Sequence, residues 1–145
     1  MSMLIVYPLP KIFPISQYFG EDRMVYGPLG HPGIDFPCPV GTEVYGTAGF
    51  ATVVQEEWEK DTLPSYRRNR GRYVGIDTND GDLYLVYAHL DSILVKRGDV
   101  ITNGQLIGFS GNTGMLTTGP HLHFGVYNGW IQPLDPLSIL LVVPT

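Results

Sequence analysis

The chain has 145 residues, 43% hydrophobic and 16% charged, with 18 glycines and 12 prolines. That length fits one domain able to bury about two-thirds of the surface its unfolded form exposes. Fourteen acidic residues against nine basic ones give a formal net charge of −5, which argues against a nucleic-acid binder driven by phosphate neutralisation, and the single cysteine rules out an intramolecular disulfide or a zinc-finger cluster.

In chain order, the first segment, Met1-Ser2-Met3-Leu4-Ile5-Val6-Tyr7-Pro8, lacks the basic region, apolar core and small-residue cleavage site of a secretory signal. No apolar run approaches the 18 or so residues of a membrane span. The expectation is a soluble protein made in the cytoplasm, without stable membrane insertion. Pro32-Gly33 reads as the centre of a turn. Cys38, between Pro37 and Pro39, reads as a buried or half-buried structural residue, a thiol ligand being the alternative.

Alternation and turn signals then place strands at 42–47, 51–55, 73–78, 83–88, 100–109 and 122–127. Asn79-Asp80-Gly81 is a tight hairpin signal, so the strands on either side of it should pair antiparallel. Residues 56–72 break the rhythm and hold Lys60, Arg67, Arg68, Arg70 and Arg72 among four acidic residues. They read as an exposed loop, either a solvated insertion or a rim that selects substrate. Asp135-Pro136 supplies an N-cap and a first-turn proline for a short helix through Leu140. Short links and the absence of long amphipathic helices exclude repeated βαβ units. The fold class is mostly β, a single domain over residues 1–145 built on an antiparallel sheet with long loops.

The four histidines carry the chemistry. His121 and His123 alternate along a strand and therefore share a face, about 6–7 Å apart. One ring can bind a metal while the other acts on what the metal activates; the plain alternative is a pair of strand histidines facing solvent. His31 and Asp35 flank the Pro32-Gly33 turn, which can bring an imidazole and a carboxylate to one point. Nitrogen and oxygen donors suit zinc, and three protein ligands with an open position describe a catalytic site. His31, Asp35 and one member of the His-x-His pair supply that count. His89 stands at the end of a predicted strand, where a side chain can face a cleft or serve as a hydrogen-bonded structural group.

His31-x3-Asp35, Ala88-His89-Leu90 and Gly119-Pro120-His121-Leu122-His123-Phe124, in this order, resemble the three signatures of the LytM- and lysostaphin-type zinc metallopeptidases, the peptidoglycan endopeptidases of peptidase family M23. The likeness extends to Phe19-Gly20, Gly33-Ile34-Asp35-Phe36, 40–44, 98–100, 104–108 and Gly111-Asn112-Thr113-Gly114, over a core of about residues 15–140. It implies a fold of the duplicated hybrid motif type around a zinc cleft. It also implies one Zn2+ held by His31, Asp35 and His123, with His89 and His121 as the non-ligand catalytic pair. Tyr26, five residues before His31, is the candidate transition-state stabiliser. Gly125 stands where many relatives carry glutamate.

The function expected on this resemblance is zinc-dependent hydrolysis of peptide bonds in bacterial cell-wall peptidoglycan, in the stem peptide or the cross-bridge. The alternatives are a non-catalytic module of the same fold that binds cell wall or activates a partner hydrolase, and a virion structural piece whose metal only stabilises the fold. Without an export signal, such an enzyme is expected to reach the wall after release by lysis or as part of a phage particle.

Overall fold

The computed structural model describes residues 5–48, 51–57, 70–78, 83–114, 119–129 and 132–142. Nine strands form one antiparallel sheet: β2 (Ile34–Pro37), β3 (Glu43–Tyr45), β4 (Ala51–Glu57), β5 (Arg72–Thr78), β6 (Leu83–Ile93), β7 (Val100–Ile101), β8 (Leu106–Ser110), β9 (His121–Asn128) and β10 (Gln132–Leu134). A separate parallel pair joins β1 (Ile5–Val6) to β11 (Leu140–Val142) near the two ends of the chain. Helical structure among the described residues is limited to α1 (Arg23–Tyr26) and a 3-10 turn at Pro136–Ser138. No described helix is long and apolar enough to cross a membrane.

The sheet is ordered β10-β9-β6-β5-β4-β7, with β2 beside β9 and with β8 bridging β6 and β3. Strand β9 is its spine. Leu122, Phe124 and Val126 are fully buried in the main core, where they join Ile34 and Phe36 of β2, Val74 and Ile76 of β5, and Leu85 and Tyr87 of β6. Each such apolar side chain contributes about 1.5–3 kcal/mol when removed from water. Tyr87 stacks on Phe124 at 5.3 Å, so the aromatic pair locks β6 to β9 from the core side. The period of two then sends His121, His123, Gly125 and Tyr127 to the opposite face. There a second cluster forms from Tyr73, Tyr84, Val86 and Ala88, with Tyr127 packed against it.

Five expectations change in detail. The predicted strand at 100–109 is two strands, β7 and β8, separated by a turn at 102–105 in which Gly104 has φ 82°. The predicted turn around Pro32-Gly33 leads directly into β2, so Asp35 sits on a strand. The predicted strand 83–88 runs on through His89 to Ile93, and its second half pairs with β8 instead of β9. The 56–72 segment is bounded by strands that reach Glu57 and start at Arg72, and residues 58–69 lie outside the described residues. The expected helix after Asp135 is a single 3-10 turn capped by Asp135 Oδ1, which accepts from the Leu137 amide at 3.0 Å. Strands β5 and β6 pair antiparallel as expected, although the Asn79-Asp80-Gly81 turn lies outside the described residues. Cys38 is buried in the core.

In the main core the Tyr87 hydroxyl, 2.6 Å from Thr47 Oγ1, also accepts from the Thr47 amide at 3.2 Å. Tyr87→Phe leaves that buried amide without its acceptor and should cost about 1–3 kcal/mol. The check is a urea titration, in which the midpoint should fall while the slope stays constant.

Candidate metal centre

Pairing of β2 with β9 sets Asp35 directly opposite His123. Residues opposed in a ladder project to the same face, so the carboxylate and the imidazole meet: His123 Nδ1 lies 2.8 Å from Asp35 Oδ1. His31, one turn earlier, brings its Nε2 to 3.2 Å from the same oxygen. Its backbone is held by two bonds, from its amide to the Glu21 carbonyl at 2.7 Å and to its carbonyl from the Gly20 amide at 2.9 Å. His31, Asp35 and His123 each offer one ligand atom, all within 4.8 Å of one another. His31 and His123 are buried, and so is Asp35.

The donor chemistry of this trio fits a cation. His31 Nδ1 lies 3.3 Å from the Tyr18 carbonyl, and a carbonyl can only accept, so Nδ1 carries the proton. In the neutral ring the Nε2 lone pair then faces the Asp35 carboxylate, an arrangement of two acceptors that needs a positive charge between them. Ligands at 2.0–2.2 Å around a tetrahedral ion stand about 3.3–3.6 Å apart. The 3.2 Å separation of His31 Nε2 from Asp35 Oδ1 is close to that value, and the 2.8 Å contact of His123 is a hydrogen bond that opens by under an ångström to match it.

His89 and His121 sit beside the trio and face away from it in hydrogen bonding. Their ring centroids are 4.6 Å apart, and His89 lies 6.1 Å from His123. His89 Nδ1 donates to the Thr113 carbonyl at 2.7 Å, and His121 Nδ1 donates to the Gly119 carbonyl at 2.7 Å. In both rings the carbonyl fixes the tautomer and leaves the Nε2 lone pair available. His121 Nε2 is 3.7 Å from Asp35 Oδ2. A cleft of about 350 Å3 opens on this side, with Ser16, Gln17, Pro37 and Gly119 on its wall beside Asp35 and His121.

The backbone at His89 is in the left-handed region, φ 64°, a conformation that costs a non-glycine residue about 1 kcal/mol or more and persists only where neighbours hold it. Here the His89 amide donates to the Arg70 carbonyl at 2.8 Å. Thr113 closes the clamp: its hydroxyl donates to the Leu90 carbonyl at 2.8 Å and accepts from the Arg72 amide at 3.1 Å. Gly71, with φ 62°, is pressed against Thr113, and a Cβ there would fall 2.4 Å from the Thr113 carbonyl carbon. Glycine is therefore required at 71 for Thr113 to reach His89.

Burial, which favours the neutral acid, is outweighed at Asp35 by the hydrogen bonds and charges of His123 and His31, so the carboxyl titrates well below the usual range. Burial, with the charges of His123 and His121, pushes the His89 imidazole down to about 3, and burial also lowers His123. Tyr26 ends α1 with its ring 4.9 Å from that of His31, and its hydroxyl donates to Gln17 Oε1 at 3.2 Å. Burial, then the charges of Asp35 and Asp22, raise its hydroxyl to about 12.

All six residues singled out in the sequence thus meet at one place. Those missed are Thr113, Gln17 and Arg70. Thr113 lay inside the glycine-bounded segment 111–114, whose spacing was the available signal. Arg70 belongs to the segment whose sequence reads either as a solvated insertion or as a rim that selects substrate. It is half-buried, with its guanidinium carbon 5.0 Å from the Tyr73 ring centroid and 5.9 Å from that of Tyr127.

A sheet face thus presents two imidazoles and a carboxylate to one point, with two more imidazoles alongside, a donor set that could hold a metal ion. The model of peptidase family M23 matches residues 29–136. The peptidoglycan DD-endopeptidase ShyA of Vibrio cholerae is 40% identical over 122 residues, which are 81% of this chain and 26% of ShyA. A zinc-containing peptidase from Vibrio cholerae superimposes with a TM-score of 0.73 at 33% identity, over 95% of this chain and 40% of that one. The catalytic domain of lysostaphin from Staphylococcus simulans does so with a TM-score of 0.68 at 30% identity, over 94% and 90%. The chain belongs to peptidase family M23 and has a mostly antiparallel β structure like that of the lysostaphin catalytic domain. It spans about a quarter of the length of curated relatives such as ShyA.

The lowered His89 value has a definite sign in stability. Below the ordinary value of 6.5 the unfolded state takes up the proton that the folded state refuses until about 3. Stability is therefore fully present above pH 6.5 and drains away as the pH falls towards 3. Urea midpoints of the metal-free protein should decline over that interval, and His89→Gln should flatten the decline. A wild-type midpoint that holds constant from pH 6.5 to 4 would contradict the burial of a neutral imidazole.

Proposed function

We propose that the chain is a zinc endopeptidase that hydrolyses peptide bonds in bacterial cell-wall peptidoglycan, within the stem peptide or the cross-bridge. On this reading His31, Asp35 and His123 hold the ion, and His89 and His121 perform the proton chemistry. The observation that carries it is the closeness of the histidines to Asp35: His31 and His123 bring a nitrogen to within 3.2 Å of Asp35 Oδ1, while His89 and His121, anchored through Nδ1 to carbonyls, stand just outside that contact, His121 Nε2 at 3.7 Å from Asp35 Oδ2. Membership of family M23 and the likeness to a peptidoglycan DD-endopeptidase support the substrate class. A non-catalytic binding module would have no use for the two further imidazoles beside the trio.

Zn2+ in this ligand set would supply a Lewis acid for the scissile carbonyl and a water acidic enough to ionise near neutral pH. The chain's own groups do the rest. An Nε2 of the His89–His121 pair accepts the proton of the attacking water and returns it to the leaving amine. The other ring, on taking up a proton from solvent at Nε2, donates to the developing oxyanion. The rings are 4.6 Å apart, close enough to divide these tasks. Tyr26, whose hydroxyl stays protonated to about pH 12, adds a neutral donor next to His31. Asp35 remains ionised throughout, which keeps the ligand set anionic.

His123→Ala should lose both bound metal and activity. His121→Ala or His89→Ala should keep close to one ion per chain while turnover falls by about two orders of magnitude or more. Metal-to-protein ratios by mass spectrometry, with release of free amino groups from purified peptidoglycan as the activity, test the assignment. If His121→Ala abolished metal binding and His123→Ala did not, the ligand assignment would be reversed.

A further inference from the structure

Helix α1 buries none of its residues, and Met24 within it is 97% exposed. The core therefore does not fix the direction of its last residue, Tyr26. Two contacts do so instead. The Tyr26 ring lies 4.9 Å from that of His31 at an interplanar angle of 54°, and its hydroxyl donates to Gln17 Oε1 at 3.2 Å. A ring contact leaves the hydroxyl free to swing, whereas a hydrogen bond has a direction. Among the described residues, the bond to Gln17 is the one that ties a side chain of α1 to the sheet.

Gln17 is in turn pinned to a residue of the trio. The Asp35 amide donates to the Gln17 carbonyl at 3.0 Å, and the Ser16 amide donates to the Asp35 carbonyl at 3.0 Å, an antiparallel bridge that extends the sheet past β2. Gln17 also lines the cleft together with Asp35 and His121. Its carboxamide thus sets the Tyr26 hydroxyl in register with the residue that bears the trio's carboxylate. The hydroxyl has one proton to give, and in the free protein Gln17 accepts it. An amide carbonyl is a neutral acceptor, and hydrogen bonds to an ionised oxygen are roughly twice as strong. Negative charge developing on a substrate oxygen therefore draws the proton away from Gln17. A carboxamide carries two N–H donors beside its oxygen, so it can turn and donate to the hydroxyl from which it had accepted.

We propose that Gln17 is a positioning residue that holds the Tyr26 hydroxyl beside the cleft and yields its proton to the oxyanion of the reacting peptide. The inference rests on the peptidase function proposed above and, within it, on Tyr26 as a neutral donor. Gln17 acts on the reacting atoms through Tyr26.

The test is a double-mutant cycle on soluble cross-linked muropeptides, with cleavage followed by the free amino groups released. Gln17→Met keeps the length of the side chain and removes its polar atoms. It should lower kcat about three- to tenfold, the worth of one neutral hydrogen bond, with KM little changed. Tyr26→Phe should lower kcat at least as far. In the Tyr26→Phe background Gln17→Met should change nothing further, because the group that it positions is gone. Metal content and thermal midpoint should stay at wild-type values in all three variants. Four results would overturn the positioning role while leaving the peptidase reading intact: wild-type kcat in either single variant, an effect of Gln17→Met confined to KM, loss of metal from Gln17→Met, or an equal effect of Gln17→Met with and without the Tyr26 hydroxyl. Wild type cutting no muropeptide would overturn that reading and this inference together.

Discussion

The register of β2 against β9 is the constraint on which the site depends. Asp35 opposes His123 because Ile34 opposes Phe124 and Phe36 opposes Leu122, and those four apolar side chains are all fully buried. A slip of one residue would expose them to water and bury the carboxylate and imidazole in the core. The apolar face of β9 thus holds the polar face in position. The stability of the core and the 2.8 Å contact between Asp35 and His123 are two consequences of one alternation.

Around that register the protein places four imidazoles within a few ångströms of each other, which burial and mutual repulsion make costly. Two different anchors resolve the crowding. Asp35 accepts the approach of His31 and His123, while backbone carbonyls of Thr113 and Gly119 take the protons of His89 and His121. The second anchor requires Thr113 to come close, which in turn requires glycine at 71 and a left-handed turn at His89. Strain at His89 is in this sense the geometric condition for a fixed tautomer, supported by Arg70 and Thr113 from either side.

Much of this was legible in the chain itself because the informative segments alternate. The run Leu122-His123-Phe124-Gly125-Val126-Tyr127 announces a strand with histidine on one face and core on the other, and the structure has it so. Strand β2 was not legible: four residues ending on Pro37 after a Pro-Gly turn carry too little pattern, and only the partner strand makes them extended. The passage of β6 through His89 was hidden for a related reason, since a positive φ at histidine is stabilised by contacts with residues 70 and 113 rather than by its neighbours in sequence. Arg70 misled through its company. Set among Arg67, Arg68 and Arg72, it reads as part of a solvated insertion or a substrate-selecting rim, and its actual partners, Tyr73 and Tyr127, come together only when β5, β6 and β9 align. The four histidines stood out because histidine is scarce here, and the fold gathers them around Asp35, whereas Tyr26, at the end of α1, was singled out only through the family resemblance.

The central claim is that the trio holds a metal that the flanking histidines use to cut peptide bonds. Digestion of purified peptidoglycan from several wall types, with and without a chelator, followed by mass analysis of the fragments, tests it most directly. The account predicts metal-dependent products with intact glycan and newly exposed peptide termini. Cleaved sugar linkages, or fragments that form equally well in the presence of the chelator, would contradict it.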